Sequence, residues 1–222
     1  MRTVSKRPYG DGYLHRVKDE SYTPISLQRD VPPRVTNFAA LADAYVRAVK
    51  RAALAAFAES MHLTVQALKN FHTGWDGEAW TTPMRNGKRR VIGIQRRFPD
   101  GTKRCWPGSH GGLFIPESLN GENPVYVAEG ASDTEALNGI GLPVVGLFNA
   151  GGNAEQLIQF LAGRSIVLVV DNDAKAQPGR IGGRERTATF VRRLRAEHMD
   201  LRIVHPVGAK DAREWVAAGG RP

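Results

Sequence analysis

The sequence predicts an α/β protein in which a four-stranded parallel sheet with flanking helices follows a small basic α+β subdomain. The run from Ile166 to Val170 is apolar without alternation, which is typical of a strand buried on both faces. Three other short apolar runs alternate with helical patterns over residues 121–222, as in a parallel sheet with helical crossovers. Hairpin signals between residues 80 and 114 predict an antiparallel part ahead of that sheet.

The predicted organisation has three parts. Residues 1–36 are rich in Pro, Arg and Ser and show little periodicity, so we expect an extended tail or linker there. Residues 37–120 form the basic subdomain and residues 121–222 the parallel-sheet domain. A chain of 222 residues is long enough for one or two such domains.

Positive charge is concentrated in the first half of the chain. Residues 1–120 hold 19 Lys and Arg against 10 Asp and Glu, whereas residues 121–222 hold 12 of each. Such asymmetry fits a polyanion-binding half joined to a metal-binding half, although composition alone leaves a merely solvated basic surface equally open. The single cysteine, Cys105, excludes an internal disulfide or a cysteine-based zinc ribbon within this chain.

Two helices are predicted near the start of the basic subdomain. Apolar residues recur at helical spacing from Phe38 to about Glu59, with Thr36-Asn37 as the candidate cap, which predicts one long helix. A second, short helix is predicted from Leu63 to Phe71, with Thr64 as its cap.

An antiparallel meander is predicted next. Asn86-Gly87 and the turn around Asp100-Gly101 separate three strand-like runs, and such dipeptides are strong hairpin signals. The meander carries eight basic residues against one acid: Arg85, Lys88, Arg89, Arg90, Arg96, Arg97, Lys103 and Arg104. A basic sheet with Trp80 and Trp106 interleaved is typical of a nucleic-acid platform, although both tryptophans fit a core role equally well.

The parallel-sheet domain is predicted to alternate strands and helices. The strands are residues 125–128, 144–148, 165–170 and 201–204, and the helices are residues 133–139, 153–161 and 184–198. Ser132 followed by Glu135 is a capping-box signature for the first of these helices.

Acidic residues follow two of these strands. Glu129 and then Asp133 follow the first, and Asp171 and Asp173 follow the third, at the edge where parallel sheets place their chemistry. Clustered carboxylates suit Mg²⁺ or Mn²⁺. A lone Asp-x-Asp is more often a polar turn, but the convergence of the acids favours a metal site. The chain has no Gly-x-Gly-x-x-Gly and no P-loop pattern, so NAD binding and P-loop ATPase activity are poorly supported.

This arrangement resembles the TOPRIM domain, which DnaG-type primases, type IA and II topoisomerases and small nucleases share. The residues that carry the resemblance are Glu129, Gly130, Asp133, Asp171 and Asp173. The stretch from Pro83 to Phe114 looks like the basic subdomain that precedes TOPRIM in DnaG-type primases and primase-helicases, and residues 210–215 look like the end of TOPRIM in primase-helicases.

Two departures from the family pattern stand at the site. Arg213 occupies a position that is acidic in DnaG enzymes, which puts one metal ligand in doubt. Residues 174–178 lengthen the link after Asp173, at the border of the predicted nucleotide site.

The resemblance implies a primase-like TOPRIM enzyme that synthesises RNA primers on single-stranded DNA from NTPs with Mg²⁺ or Mn²⁺. Its implied catalytic residues are Glu129, Asp171 and Asp173, its metal ligands are these three and Asp211, and Asp133 supports them. The predicted phosphate contacts in a groove are Arg85, Arg96, Arg97, Lys103 and Arg104.

Other functions remain open on the sequence. The same acids could activate water in a metal-dependent nuclease, and Arg213 together with the missing zinc module gives weight to a non-catalytic DNA-binding or replication module. Topoisomerase action is disfavoured because strand passage needs a Tyr-bearing domain and a larger body. A replicative helicase or a separate zinc-binding module are candidate partners. No apolar run reaches bilayer-spanning length, so we expect no membrane partner and a cytoplasmic place in a nucleoid, phage or plasmid replication complex.

Overall fold

The computed structural model describes residues 2–3, 8–9, 12–13, 16–17, 36–149, 153–172, 183–197 and 200–221, with the backbone alone for residues 2–3, 8–9, 12–13, 16–17 and 183–187. The chain divides into two compact units, Met1–Val35 and Thr36–Pro222. In the described ranges no helix combines the length and apolar character needed to cross a membrane.

The described residues of the first unit form two short antiparallel strand pairs. Strand β1 (Arg2–Thr3) pairs with β4 (Arg16–Val17), and β2 (Pro8–Tyr9) pairs with β3 (Gly12–Tyr13). The sequence predicts an extended tail or linker here, so this local pairing goes beyond that prediction. The predicted domain boundaries themselves stay a prediction.

The long helix predicted from Phe38 to Glu59 is wrong, because the chain forms two helices there. Helix α1 (Phe38–Ala48) ends at Val49, whose ψ of 122° is extended, and α2 (Arg51–Ser60) follows. The two helices pack against different clusters: α1 lies on Ile94, whereas α2 packs on Leu68. Tertiary packing therefore overrides a continuous helical pattern.

Both predicted caps are confirmed. The side chain of Asn37 accepts the Ala40 N–H of α1 at 3.1 Å. Thr64 accepts the Ala67 N–H at 3.1 Å and begins the short helix α3 (Val65–Asn70).

The predicted antiparallel meander is confirmed. Strands β6 (Trp80–Arg85), β7 (Val91–Arg97) and β8 (Lys103–Cys105) pair in order, and β5 (Gly74–Trp75) pairs with β6. At the second turn, Gly101 has a φ of 85° and the Phe98 N–H donates to the Thr102 carbonyl, as the Asp-Gly signal predicts.

The first turn differs from the tight Asn-Gly turn that the sequence predicts. Residues 86–90 connect the strands, and the Asn86 side chain accepts the N–H groups of Lys88 and Arg90, both at 3.0 Å. The left-handed residue is Arg89, with a φ of 62°. Gly87 instead allows the turn to pack closely against Gln156, because a Cβ at residue 87 would lie 2.7 Å from the Gln156 carbonyl oxygen.

The predicted four-stranded parallel sheet is confirmed. Strands β10 (Val125–Glu129), β11 (Val144–Leu147), β12 (Ile166–Val169) and β13 (Leu201–Val204) lie in the order β13-β12-β10-β11, and every neighbouring pair is parallel. The helices are α4 (Ala131–Gly139), α5 (Ala154–Phe160), α6 (Gly183–Ala196) and α7 (Ala212–Ala217).

The meander and the parallel strands belong to one sheet. The two-residue strand β9 (Leu113–Phe114) is antiparallel both to β11 and to β6, and so completes a nine-stranded sheet within the described residues. Glu129, Leu147, Leu113 and Arg85 form one row of paired residues across β10, β11, β9 and β6. The basic meander and the parallel strands that carry the predicted acids are therefore joined by a hydrogen-bonded ladder.

Apolar residues cover both faces of β10, β11 and β12, as their non-alternating patterns predict. One face packs on α5 and α6 in a cluster of Val125, Val127, Val145, Leu147, Ile166, Leu168, Leu157, Leu161, Phe190 and Leu194. The other face packs on α4 and α7 in a cluster that includes Ala128, Val144, Val169, Leu137 and Ala212.

The capping box predicted for α4 is wrong. The helix begins at Ala131, its N-cap is Gly130 with a φ of 79°, and no side chain caps it. Ser132 and Glu135 instead lie buried within the helix, where the Ser132 hydroxyl lies 3.5 Å from Asp133 Oδ2 and the Glu135 carboxyl accepts from the Thr73 hydroxyl. The Thr134 hydroxyl donates to the Gly130 carbonyl at 2.6 Å.

Gly146 on β11 lets α4 approach the sheet, and Gly146→Ala should destabilise the fold. A Cβ there would lie 3.0 Å from Phe114 and closer still to the Thr134 hydroxyl, which is held by its own hydrogen bond. Overpacking of this kind costs about 1–3 kcal/mol of unfolding free energy, measurable by urea denaturation. The control is Gly121→Ala, where a Cβ meets nothing within 4 Å. Equal stabilities for the two variants would contradict this view of the packing.

Candidate active site

Two predicted acids lie at the carboxyl edge of neighbouring strands. Glu129 ends β10, and Asp171 lies two residues beyond β12. The strands pair in parallel with Val127 opposite Leu168, so continuing that register brings Glu129 level with Val170, next to Asp171. Glu129 is exposed and Asp171 half-buried. The fold therefore brings both acids to one edge, as the sequence predicts.

Asp133 is buried in the first turn of α4, with 8% of its surface exposed. One carboxylate oxygen, Oδ1, accepts the backbone N–H of Arg213 at 2.9 Å. Burial raises the pKa of Asp133 above its usual value, and the charge of Asp211 raises it further, while the Arg213 N–H and the Lys103 ammonium oppose the shift. Asp133 and Asp211 are thus electrostatic neighbours.

Asp211 is the N-cap of α7. Its Oδ1 accepts the Glu214 N–H at 2.8 Å, and Glu214 in turn accepts the Lys210 N–H at 2.6 Å. We did not predict this helix from the sequence. The available signal was an acid at the cap followed three residues later by Glu214, which resembles a capping box.

Two predicted cations, Arg97 and Lys103, face α4 and the acids. They are paired neighbours on β7 and β8, so their side chains share a face of the sheet. Lys103 Nζ would lie 3.8 Å from a Cβ placed at Gly130, the residue after Glu129. Lys103 is exposed as a residue, yet desolvation of its ammonium and the charge of Arg97 lower its pKa. Burial and the charge of Arg213 lower the pKa of Arg97.

Arg213, where the sequence departs from the resemblance, uses its backbone and its side chain in different contacts. Its backbone N–H binds Asp133, while its guanidinium extends to Met61, with Nη1 3.7 Å from the sulfur. Its charge acts on both Arg97 and Lys103. Arg213 therefore adds a third cation near the acids, while its backbone N–H binds Asp133.

Arg96 and Arg104 lie on the opposite face of the sheet from Lys103. The Arg96 guanidinium is paired with Asp76 and Glu78 and lies over the rings of Phe98 and Trp106, 4.7 and 5.1 Å from their centroids. Arg104 lies 5.6 Å from the Phe98 centroid on the same face. The predicted groove contacts at these two residues are thus not brought to the acids, and their phosphate-binding role stays a prediction.

Arg85 is half-buried at the end of β6. Its Nη1 donates to the Arg89 carbonyl at 3.1 Å, and its Nη2 lies 4.0 Å from Glu117. Desolvation is the main cause that lowers its pKa. It lies in the same sheet row as Glu129 but three strands away, about 14 Å at ordinary strand spacing.

The two tryptophans of the meander pack within the protein. Trp80 stacks on Phe57 with centroids 4.3 Å apart, and Trp106 contacts Tyr45 at 5.6 Å. These contacts support the core alternative for both residues.

Asp173, the remaining predicted ligand, lies outside the described residues. Among the residues that the structure does describe, no three His, Cys, Asp or Glu side chains form a group that could hold a metal ion. The donors that do meet at this edge are all carboxylate oxygens, which fits a hard cation such as Mg²⁺ or Mn²⁺ in chemical type. The complete metal site therefore stays a prediction.

Sequence reasoning missed Glu135, which lies in the middle of α4 beneath the cations. It is 4% exposed, and the Thr73 hydroxyl donates to its Oε1 at 3.3 Å. Burial raises the pKa of Glu135 from 4.5 to about 8, so the carboxyl is largely neutral at pH 7. Because Ser132 and Glu135 match the capping-box pattern, the sequence indicated a helix-capping role for Glu135 and gave no sign that it is buried.

No protein-family model matches the chain, and no curated protein matches it by sequence. Solved structures do match. The catalytic core of the E. coli primase is 18% identical with a TM-score of 0.62, and the match covers 82% of this chain and 75% of that one. A DnaG catalytic domain bound to single-stranded DNA is 16% identical with a TM-score of 0.62 and covers 82% and 76%. The primase fragment of the bacteriophage T7 primase-helicase is 20% identical with a TM-score of 0.52 and covers 72% and 68%.

These likenesses show the fold. The chain has the architecture of the catalytic core of DnaG-type and phage primases, so the resemblance drawn from the sequence is confirmed at that level. Identities of 16–20% carry no residue roles with them.

The titration of Glu135 should make the protein less stable as pH rises. Its folded pKa of about 8 exceeds the unfolded value of 4.5, so the folded state holds a proton that the unfolded state has lost in this interval. The resulting stability is fully present below pH 4.5 and is lost as pH rises towards 8. Its slope is at most about 1.4 kcal/mol per pH unit.

Glu135→Gln keeps the shape without the titration, so its unfolding free energy should lack this slope. Urea denaturation of both proteins between pH 5 and 8 tests this expectation. Parallel pH profiles for the two proteins would contradict it.

Proposed function

We propose that this protein is a primase-type nucleotidyltransferase that makes RNA primers on single-stranded DNA with Mg²⁺ or Mn²⁺, as part of a cytoplasmic replication complex. The observation that carries the proposal is that carboxylates and cations meet at one sheet edge: Glu129 and Asp171 lie at the ends of neighbouring strands, and Lys103 lies close enough to Glu129 and Asp133 to interact with their charges. The primase-core fold supports the same reaction class.

The metal ligands in this proposal are Glu129, Asp171, Asp173 and Asp211. When bound, Mg²⁺ would neutralise phosphate charge and polarise the reacting phosphoryl group. Mg²⁺ commonly binds through one or two carboxylates together with substrate phosphates, so not every acid needs to contact it.

The chain's own residues perform the remaining tasks. Glu129, exposed at the end of its strand, takes the proton of the primer 3′-hydroxyl as its oxygen attacks the NTP α-phosphorus and pyrophosphate leaves. Lys103, Arg97 and Arg213 offset the negative charge of the phosphates. Asp133, held by the Arg213 N–H, fixes the start of α4 next to Glu129.

The proposed substrates are a single-stranded DNA template and NTPs. The basic meander supports a polyanionic partner, and one structural neighbour is a DnaG domain bound to single-stranded DNA. A T7 primase-helicase fragment among the neighbours supports a helicase as a further candidate partner. A separate zinc-binding module remains a candidate on the resemblance alone.

Loss of the edge carboxylates should abolish primer synthesis. Asp171→Asn and Glu129→Gln remove a charge that the reaction requires, so primer yield on single-stranded DNA with labelled NTPs should fall by about 100-fold or more, consistent with loss of general acid–base or metal chemistry. Folding and DNA binding should be nearly unchanged. The matched controls are Asp200→Asn and Glu122→Gln, acids next to the amino ends of β13 and β10, which should keep full activity.

The outcome of that assay separates the alternatives. Wild-type levels of primer from Asp171→Asn would overturn the assigned site. Shortened template without synthesis would identify a nuclease. DNA binding without any product at any NTP or metal concentration would favour a non-catalytic replication module.

The cations that face the acids should bind phosphate more strongly than those on the opposite face. Lys103→Gln should weaken binding of single-stranded DNA or NTP by about tenfold or more, as expected for a lost charged hydrogen bond. Arg104→Gln, on the adjacent residue of β8 but the other face, is the matched control and should change affinity less. Fluorescence anisotropy at several salt concentrations measures both variants. A larger loss in Arg104→Gln would contradict the assigned face.

A further inference from the structure

Asn172 stands between Asp171 and Asp173, and its side chain has an unusual environment. Its Nδ2 donates to the Pro206 carbonyl at 2.6 Å and to the Ala209 carbonyl at 2.8 Å. Both partners are carbonyl oxygens, so the amide nitrogen and not the amide oxygen must face them. The side chain therefore uses both of its donors on one loop.

The backbone of Asn172 is bound to the same loop. Its N–H donates to the Lys210 carbonyl at 2.8 Å. The loop closes around the side chain through a turn at Gly208, which has a φ of 73°. One residue thus holds the loop at three points, Pro206, Ala209 and Lys210.

The loop leads directly into a second set of site residues. Lys210 is followed by Asp211, which caps α7, and the N–H of Arg213 in the first turn of α7 binds Asp133. The end of β12 is therefore connected to the start of α4 in three steps. Asn172 is hydrogen-bonded to the loop, the loop continues into α7, and α7 is hydrogen-bonded to Asp133. This connection links the strand end that carries Asp171 to Asp211 and Asp133.

We propose that Asn172 is a positioning residue that holds the Asp171 strand end and the Asp211-bearing loop in one fixed arrangement, and so sets the affinity of the site for its divalent cation. For the cation this inference rests on the proposed function, whereas the mechanical link stands on hydrogen bonds alone. Replacement of groups that orient metal ligands commonly weakens metal binding by about 10–100-fold.

Neighbouring hydrogen bonds hold the start of the loop independently of Asn172. The Val170 N–H donates to the Val204 carbonyl at 2.9 Å, and a ring nitrogen of His205 lies 3.1 Å from the Val170 carbonyl. These contacts hold the loop at its start and do not involve residue 172. Loss of the Asn172 amide should therefore release residues 206–211 while β13 stays paired.

The first experiment measures Mn²⁺ binding by titration of the full chain without nucleotide. Asn172→Ala should bind Mn²⁺ about 10–100-fold more weakly than the wild type, with a melting temperature close to that of the wild type. The control Asn120→Ala alters an exposed asparagine that precedes β10 and should bind as the wild type does. Unchanged affinity in Asn172→Ala would overturn the proposed effect on the cation.

The second experiment follows hydrogen exchange and needs no metal. Asn172→Asp is isosteric but loses both donors and sets a carboxylate against two carbonyls, so the hydrogen-bonded amides of residues 210–217 should exchange at least about tenfold faster while those of α1–α3 do not change. Unchanged exchange at residues 210–217 would overturn the inference.

The two experiments keep failure of the inference distinct from failure of the proposed function. A wild-type chain that binds no Mn²⁺ would count against the metal-dependent function, while the exchange result still decides the role of Asn172. If either variant fails to fold, hydrogen exchange in the wild type tests the role of Asn172. The backbone amides of Asn172 and Arg213 should then show similar opening free energies, because the loop and α7 are held together. Widely different opening free energies would overturn the inference.

Discussion

Helix α4 carries four consecutive polar residues into the interior, and the site depends on how each one finds a partner. Ser132, Asp133, Thr134 and Glu135 are all at most 8% exposed. A buried polar group without a hydrogen bond costs several kcal/mol, so each partner is under strong constraint. Arg213 supplies an N–H to Asp133, the Gly130 carbonyl accepts from Thr134, Thr73 donates to Glu135, and the Ser132 hydroxyl lies 3.5 Å from Asp133. These contacts draw α7 and the segment after α3 onto α4.

The same burial sets the electrostatics of the site. Removal from water disfavours charge on Asp133 and Glu135, and it also disfavours charge on Arg97 and Lys103. Acids and cations brought together in this way stabilise one another's charged forms. Bound phosphates would stabilise the positive charges of Arg97 and Lys103, and a divalent cation would stabilise the negative charges of the acids. Clustered ionisable groups with shifted pKa values are more typical of a binding site than of a packing core.

Local patterns predicted the sheet but not the uses of individual side chains. The parallel strands followed from unbroken apolar runs, and the meander followed from its turns. Ser132 and Glu135 matched a helix-start signature, yet both lie buried within α4, and the partner of Glu135 is Thr73, a residue remote in sequence that local pattern cannot reveal. The break at Val49 has the same origin, because α1 and α2 pack on different clusters. By contrast, strand alternation alone places Arg96 and Arg97 on opposite faces of the sheet. The sequence therefore already indicated that only one of the two could face the acids.

The continuity of the sheet explains how the basic meander and the carboxylates of the parallel strands would act on one substrate in the proposed reaction. A flexible connection between the two parts would not fix the distance between the cations and the carboxylates. Here β9 bridges β6 and β11 with two residues, and the glycine before it is essential to the approach, since a Cβ at Gly112 would lie 2.6 Å from the Arg85 carbonyl oxygen. Strand spacing then fixes the row from Glu129 to Arg85, and pairing of β7 with β8 fixes Arg97 beside Lys103. Charges held by a ladder need no rearrangement when a substrate arrives, which is how preorganised electrostatics contributes to catalysis.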